Sequence, residues 1–297
     1  DQIIESNDAL YYVNSDGAMV TNEWRKVENE DFDYEENDAE AYWYYFSSNG
    51  KAYKASGSSS YFKTFKNADG TTKRYGFDDN GRMLTGWVSE SGERVTGDDA
   101  WVQGTYYCGG EDDGAQVTNQ WMWLEAIDDN NEEPDFEDAY WFYFGSNGKK
   151  YTDTTKTING KKYRFDENGA AENRWYNVAS SSTASNGHLY YNEPEQSWLA
   201  TGWFKAVPSE DLDPEAYDNE DEYWFYGLSN GTLVKSQLKS VNGYKYGFNE
   251  KGEMLHGLYK LKFDENRNIT DYDEIEFESD IPRADDDEWS VYYFGNS

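Results

Sequence analysis

The side chains that usually carry chemistry are scarce in this chain, and their spacing does not assemble a catalytic unit. Two histidines, His188 and His256, and one cysteine, Cys108, stand among 59 carboxylates. No nucleophile elbow, His-Glu-x-x-His pair or phosphate-binding loop occurs. Carboxylates occur throughout, so a pair of them does not single out a glycosidase. His188 follows Gly187 ahead of an extended segment and is expected at the surface. Cys108 replaces an aromatic in Tyr106-Tyr107-Cys108 and is expected to be a packed free thiol with no disulfide partner. What remains is chemistry that needs only ring faces, supplied by 12 Trp, 27 Tyr and 15 Phe. Such faces attract cations by about 0.5–2 kcal/mol per contact. They also stack on the apolar faces of sugars, with nearby Asp or Asn taking the hydroxyls. The expectation is a non-catalytic binding protein.

The elements that must position these rings are visible as an internal repeat. Trp43-Tyr44-Tyr45-Phe46-Ser47-Ser48-Asn49-Gly50 returns as Trp141-Phe142-Tyr143-Phe144-Gly145-Ser146-Asn147-Gly148 and as Trp224-Phe225-Tyr226-Gly227-Leu228-Ser229-Asn230-Gly231. The closing glycines are 98 and 83 residues apart, and Trp24, Trp121 and Trp203 follow at 97 and 82. A shorter unit lies inside the long one: aromatic strand, glycine turn, and a second strand such as Met83-Leu84-Thr85-Gly86-Trp87. Asn14-Ser15-Asp16-Gly17, Asp78-Asp79-Asn80-Gly81, Asp166-Glu167-Asn168-Gly169 and Asn249-Glu250-Lys251-Gly252 suit tight turns with positive φ at the glycine. About nine or ten such hairpins are expected. A lone hairpin is marginal in water, so they must stack. Side chains alternate across a strand, which puts Trp43 and Tyr45 on one face and Tyr44 and Phe46 on the other. The predicted fold is all-β: an elongated solenoid of stacked hairpins, not a compact sandwich. One array is expected over residues 1–297, in long units of about 1–97, 98–180 and 181–258, with a partial fourth from 259.

Composition agrees with an aromatic core. Leu, Ile, Val and Phe together number only 46 of 297 residues, and the net charge is −33. Those values alone would signal disorder; Tyr and Trp supply the missing burial and favour strands. The 26 Lys and Arg are scattered, which argues against nucleic-acid binding and against attraction to an anionic membrane. No apolar run approaches the roughly 20 residues of a membrane span. Asp1 to Asp8 do not form an export signal, so any such signal is expected to be absent or already removed.

Gly86-Trp87-Val88, the Trp-Tyr-Tyr-Phe strand and Gly17-Ala18-Met19-Val20-Thr21 resemble the cell-wall-binding repeats of choline-binding surface proteins. Thr157-Ile158-Asn159-Gly160-Lys161-Lys162-Tyr163-Arg164-Phe165 and Val241-Asn242-Gly243-Tyr244-Lys245-Tyr246-Gly247-Phe248 are similar to the sister repeats of glucan-binding domains and large clostridial toxins. The resemblance covers nearly the whole chain. It implies secretion or display on a Gram-positive cell wall, and a ligand that is wall polymer or host or bacterial glycan, of choline or glucan type. It places the ligand between the Trp of a Gly-Trp strand, the Trp opening the next strand, and an aromatic of the following hairpin. Carried onto this chain, those are Trp24 with Trp43, Trp121 with Trp141, and Trp203 with Trp224, with Tyr75, Tyr163 and Tyr246 as third aromatics. Arg74, Thr105, Lys162, Leu189 and Lys245 stand at the strand-opening position elsewhere, and those hairpins do not fit. The Trp pairs read equally as ligand contacts and as core.

Between paired tryptophans the resemblance implies a tight turn. Here residues 28–40, 125–138, 210–222 and 264–288 are long insertions holding 36 of the 59 acids. They read as solvated, self-repelling loops, as irregular calcium sites, or as a surface for a cationic ligand or protein partner. Asp264-x-Asn266-x-Asn268 starts like a calcium loop but has Ile269 and Ile275 where an EF-hand needs Gly and Glu. No cofactor is expected beyond that calcium alternative. A structural stalk or interaction scaffold using the acidic loops is the competing function.

Overall fold

The computed structural model describes all residues except 31–38, 56–61, 67–69, 127–138, 178–186, 194–195, 284–285, 287 and 296–297. The chain divides into two compact units, 1–155 with 165–171, and 156–164 with 172–297.

The first unit is a succession of small antiparallel sheets. β1 (Gln2–Ser6) pairs with β2 (Ala9–Val13), β3 (Glu23–Glu28) with β4 (Ala41–Phe46), and β5 (Phe62–Lys66) with β6 (Thr72–Gly76). β7 (Gly86–Val88) lies between β8 (Arg94–Val95) and β9 (Tyr106–Cys108), with the short helix α1 (Ala100–Gln103) inserted in the connection. β10 (Gln120–Glu125) pairs with β11 (Ala139–Phe144). The division between units falls in the hairpin of β12 (Thr154–Ile158) and β13 (Lys161–Phe165). In the second unit β14 (Arg174–Asn177) pairs with β15 (His188–Tyr191), β16 (Gly202–Ala206) with β17 (Tyr223–Gly227), and β18 (Gln237–Val241) with β19 (Tyr244–Phe248). β20 (Gly257–Phe263) is flanked by β21 (Ile269–Glu274) and β22 (Ser290–Phe294). Ten small sheets result among the described residues, and the all-β class is correct.

Among the described residues the buried side chains gather in several small clusters, most of them shared by neighbouring hairpins. Tyr12, Val20, Tyr44 and Phe46 form one; Trp87, Trp101, Leu124, Phe142 and Phe144 another; Tyr190, Phe204, Leu212, Phe225 and Leu233 a third. The predicted alternation holds: Tyr44 and Phe46 are buried, whereas Trp43 and Tyr45 are only partly covered. Phe46, Phe142, Phe144, Phe165, Phe225 and Phe248 are wholly inaccessible to solvent. Truncating any one of them to alanine costs about 3–5 kcal/mol by the usual large-to-small measure.

The glycine turns form as read, but they do not join two strands of a ladder. Asn14, Asp78, Asp166 and Asn249 each accept backbone N–H groups from the residues two and four positions on. Gly17, Gly81, Gly169 and Gly252 take φ of 77°, 79°, 94° and 93°, where glycine has no Cβ to clash. Beyond each turn a single bridge forms, such as Phe46 with Ala52 or Phe77 with Met83. The bridge residue's own N–H is turned the other way, to the preceding hairpin. Met83 N–H bonds Trp43 C=O at 2.8 Å, Gln116 bonds Arg74 at 2.7 Å, Lys150 bonds Thr105 at 2.9 Å, Ala171 bonds Trp141, Leu199 bonds Lys162 and Met254 bonds Trp224, the last three at 2.8 Å. The acceptor is always the strand-opening residue. The two-stranded ladders run instead on either side of the acidic insertions, β3 with β4 and β16 with β17.

Two insertions differ from the solvated-loop reading. Residues 210–222 include the helix α2 (Pro214–Asp218), capped by the Asp213 side chain, with Leu212 buried in a cluster with Phe204 and Phe225 and Ala216 also buried. Residues 264–288 supply β21, because Ile269 and Ile275 have a core to enter. Those are the two isoleucines that spoil the calcium loop. Asp264 caps a turn of its own, accepting N–H from Asn266 and Asn268 and the Asn268 amide. Most of 28–40 and 125–138 lies outside the described residues.

Candidate functional site

Three hairpins hold tryptophan at both positions, and strand register places each pair on one face. In β3–β4, Trp24 is opposite Tyr45 and Lys26 opposite Trp43. In β10–β11, Trp121 faces Tyr143 and Trp123 faces Trp141; in β16–β17, Trp203 faces Tyr226 and Lys205 faces Trp224. The opposite face of each ladder carries the core residues. All six predicted tryptophans therefore sit on the ladder face opposite the one that carries Tyr44, Phe142 and Phe225, and Trp224 is 38% exposed.

Around Trp203 the rings are partly covered, with Trp224 the most exposed. Its indole lies edge-on to Trp224 at 6.3 Å, to Tyr226 at 5.1 Å and to the predicted Tyr246 at 4.6 Å. Phe248, two residues past Tyr246 and on the same face, stacks on it at 5.8 Å. The ammonium of Lys239 stands 5.7 Å from the Tyr226 ring, and Lys205 pairs with Glu222 at 2.7 Å. Polar groups thus rim an aromatic groove, an arrangement that suits a sugar or an organic cation.

Trp121 repeats this geometry with Trp141 at 6.2 Å, Tyr143 at 5.1 Å and Phe165 stacked at 5.6 Å. Trp123 adds a third indole, 5.3 Å from Trp141. Tyr163 is half-buried on β13 in the second unit, and burial pushes its phenol up from the ordinary value.

Trp24 is placed differently. Tyr75 lies 4.9 Å away and Phe77 stacks at 5.7 Å, but Phe65 enters beside them, 5.2 Å from Trp24 and 4.6 Å from Tyr45. The segment from Gly109 to Gly114 then reaches over both walls. Asp112 accepts from the Lys26 ammonium at 2.8 Å and from the Trp43 indole N–H at 3.3 Å. Asp113 accepts from Lys73 at 2.5 Å and from the Tyr75 hydroxyl at 3.3 Å. The Lys26 hydrogen bond holds the Asp112 carboxyl below its ordinary range. Sequence reasoning missed Phe65, Asp112 and Asp113, which lie outside the motifs. The stacking partners Phe77, Phe165 and Phe248 were findable, two residues beyond each predicted tyrosine.

A Gly-Trp strand without a partner tryptophan behaves otherwise. Trp87, with Thr105 at the strand-opening position, is only 7% exposed beneath Phe142 at 5.1 Å and Phe144 at 5.8 Å. Lys150 caps the site: its ammonium bonds the backbone carbonyls of Trp101 and Val102 and lies 5.3 Å from the Trp87 ring. Cys108 is a packed thiol, as expected, and burial pushes it up to about 12, which removes thiolate chemistry at neutral pH. His188 departs from the surface reading: it opens β15 half-buried, edge-on to Trp175 at 6.5 Å. Among the described residues no group of three or more His, Cys, Asp or Glu comes together to hold a metal ion.

No family model matches the chain. Over 133 residues, 45% of its length, it is 28% identical to glucosyltransferase-S of Streptococcus mutans, and this match spans 8% of that protein. Among solved structures it is similar to choline binding protein F from Streptococcus pneumoniae, determined in the presence of a peptidoglycan analogue, with 18% identity and a TM-score of 0.47 over 90% of this chain and 92% of that one. The choline-binding domain of CbpL from the same organism gives 15% identity and a TM-score of 0.47 over 86% of this chain and 96% of that one. The chain is thus similar to choline-binding proteins and, over part of its length, to a glucosyltransferase.

Proposed function

We propose that the chain is a non-catalytic binding module, secreted or displayed on a Gram-positive cell surface, whose tryptophan grooves take wall polymer or glycan. The observation that supports this reading is the partly exposed ring cluster of Trp203, Trp224 and Tyr246, with Lys205, Glu222 and Lys239 beside it. Large indole faces left half-covered in a protein short of apolar residues are a site, because burial would otherwise use them. A glycan unit lays its apolar face on an indole and gives its hydroxyls to the carboxylates at the rim. A choline-type ammonium uses the same faces electrostatically. The similarity to glucosyltransferase-S supports a glucan-type ligand. Several such grooves on one chain add avidity on a repeating polymer.

Retention on dextran beads and on purified Gram-positive cell walls tests the reading. Saturable retention, displaced by free isomalto-oligosaccharide or by choline, is expected. Passage through both matrices without delay contradicts it and favours the scaffold role.

A further inference from the structure

The four glycine turns differ in the residue that follows the glycine: Ala18, Arg82, Ala170 and Glu253. The first residue of each turn must suit it. Asp78 stands beside the Arg82 charge, whereas Asn249 gives its amide to Glu253, Nδ2 to Oε2 at 2.7 Å. Glu253 is 5% exposed, and its other oxygen, Oε1, meets no donor among the described residues. Within hydrogen-bonding reach of Glu253 lies a second carboxyl, Asp213, 6% exposed, which caps α2 of the third acidic insertion. Asp213 already has its donors, the Ala216 N–H at 3.3 Å and the Lys251 ammonium. Two buried carboxyls lie in reach of each other, and one oxygen of the pair, Glu253 Oε1, lacks a donor among the described residues. Like charges so placed cannot both ionise cheaply, and a shared proton completes the cluster.

We propose that Glu253 is protonated in the docked state and donates from Oε1 to Asp213, so that a proton holds the acidic insertion 210–222 on the Asn249–Glu253 turn and the insertion is released when that proton leaves. The groups facing Glu253 are consistent with this. Asn249, Glu250 and Lys251 share its turn; Asp213 comes from the insertion, Tyr223 from β17, Lys235 from the segment before β18, and Tyr272 from β21. Burial pushes Glu253 up to about 7, and the Asp213 charge adds to the rise. Burial acts on Asp213 in the same direction, but Lys251 and the Ala216 N–H hold it below the ordinary carboxylate range. The folded-state value of Glu253 therefore lies above the ordinary 4.5. Its contribution is full below about pH 4.5 and is lost as pH rises through about 7. The insertion ends at Glu222, beside a cleft of about 580 Å³ lined by Tyr223, Trp224, Glu253, His256 and Tyr272. Release therefore loosens the wall next to Trp224. The docking stands whether or not Trp224 contacts a ligand.

Hydrogen–deuterium exchange on the full chain, corrected for intrinsic rates, tests the proposal at about pH 5.5 and about pH 8.5. Protection of residues 209–222 is expected to fall by at least about tenfold at the higher pH, the factor that one pH unit of linkage carries. In Glu253→Gln, whose amide donates to Asp213 at any pH, the protection is expected to persist at both. Equal protection at the two pH values in the unaltered chain overturns the proposal, as does an unchanged pH response in Glu253→Gln. Should that variant misfold, a carboxyl carbon NMR titration of the unaltered chain decides: a Glu253 midpoint well above 4.5 supports the proposal, and one in the ordinary glutamate range overturns it.

Discussion

Trp87 and Trp203 sit in nearly the same words of sequence, Leu84-Thr85-Gly86-Trp87 and Ala200-Thr201-Gly202-Trp203, and in the same register against a tyrosine, Tyr107 and Tyr226. Their surroundings differ. Trp87 is covered by α1 and by two phenylalanines of the next ladder, with a buried lysine across its ring. Trp203 stands beside a second tryptophan and is only partly covered. The motif therefore fixes where an indole hangs on the hairpin; the residue opening the partner strand and the chain that follows fix whether it is buried or left partly exposed.

That contrast can be broken by substitution. The largest effect belongs to Trp87→Ala, which opens a cavity under Phe142 and is expected to cost about 3–5 kcal/mol in denaturant unfolding while leaving ligand affinity of the folded fraction unchanged. Parity with Trp203→Ala in stability would erase the distinction between the two sites. Next comes Phe65→Val. Register puts Phe65 opposite Lys73 in β5–β6, and the matching position in β18–β19 is Val241, one residue from the turn and opposite Tyr244. The exchange should cost about 1–2 kcal/mol. In return it should give the Trp24 groove a ligand response that the parent lacks, read as a new phase in tryptophan fluorescence. An unaltered response would mean that Phe65 does not close the groove. The smallest effect is expected from Asp112→Asn. Its partner Lys26 is exposed, so the melting temperature should not move measurably, and only the emission of Trp43, whose indole bonds Asp112, should shift.

Much of the architecture was legible in the chain itself. Recurrent Trp-Tyr-Tyr-Phe strands and Asx-Gly turns specify hairpins and their faces, since period-2 alternation and positive φ are local requirements. The stitch between hairpins was not legible, because it uses only the C=O of the strand-opening residue. Trp43, Arg74, Thr105 and Lys162 all serve, so side-chain identity at that position reports on the groove and not on the fold. The acidic insertions were misread where a few apolar residues among many charges, Leu212 and Ala216 or Ile269 and Ile275, found a core to enter. The clasp of Asp112 and Asp113 over Trp43 and Tyr75 joins segments far apart in sequence, and no spacing announces it.

Titration of intrinsic fluorescence with isomalto-oligosaccharide and with choline, in the unaltered chain and in Trp203→Ala with Trp224→Ala, asks the central question most directly. Saturable binding by the parent, weakened about tenfold or more in the double variant at nearly unchanged unfolding free energy, is the outcome this account requires. Identical isotherms for both proteins, or a double variant that loses stability as a core mutant does, would show that these indoles only hold the fold.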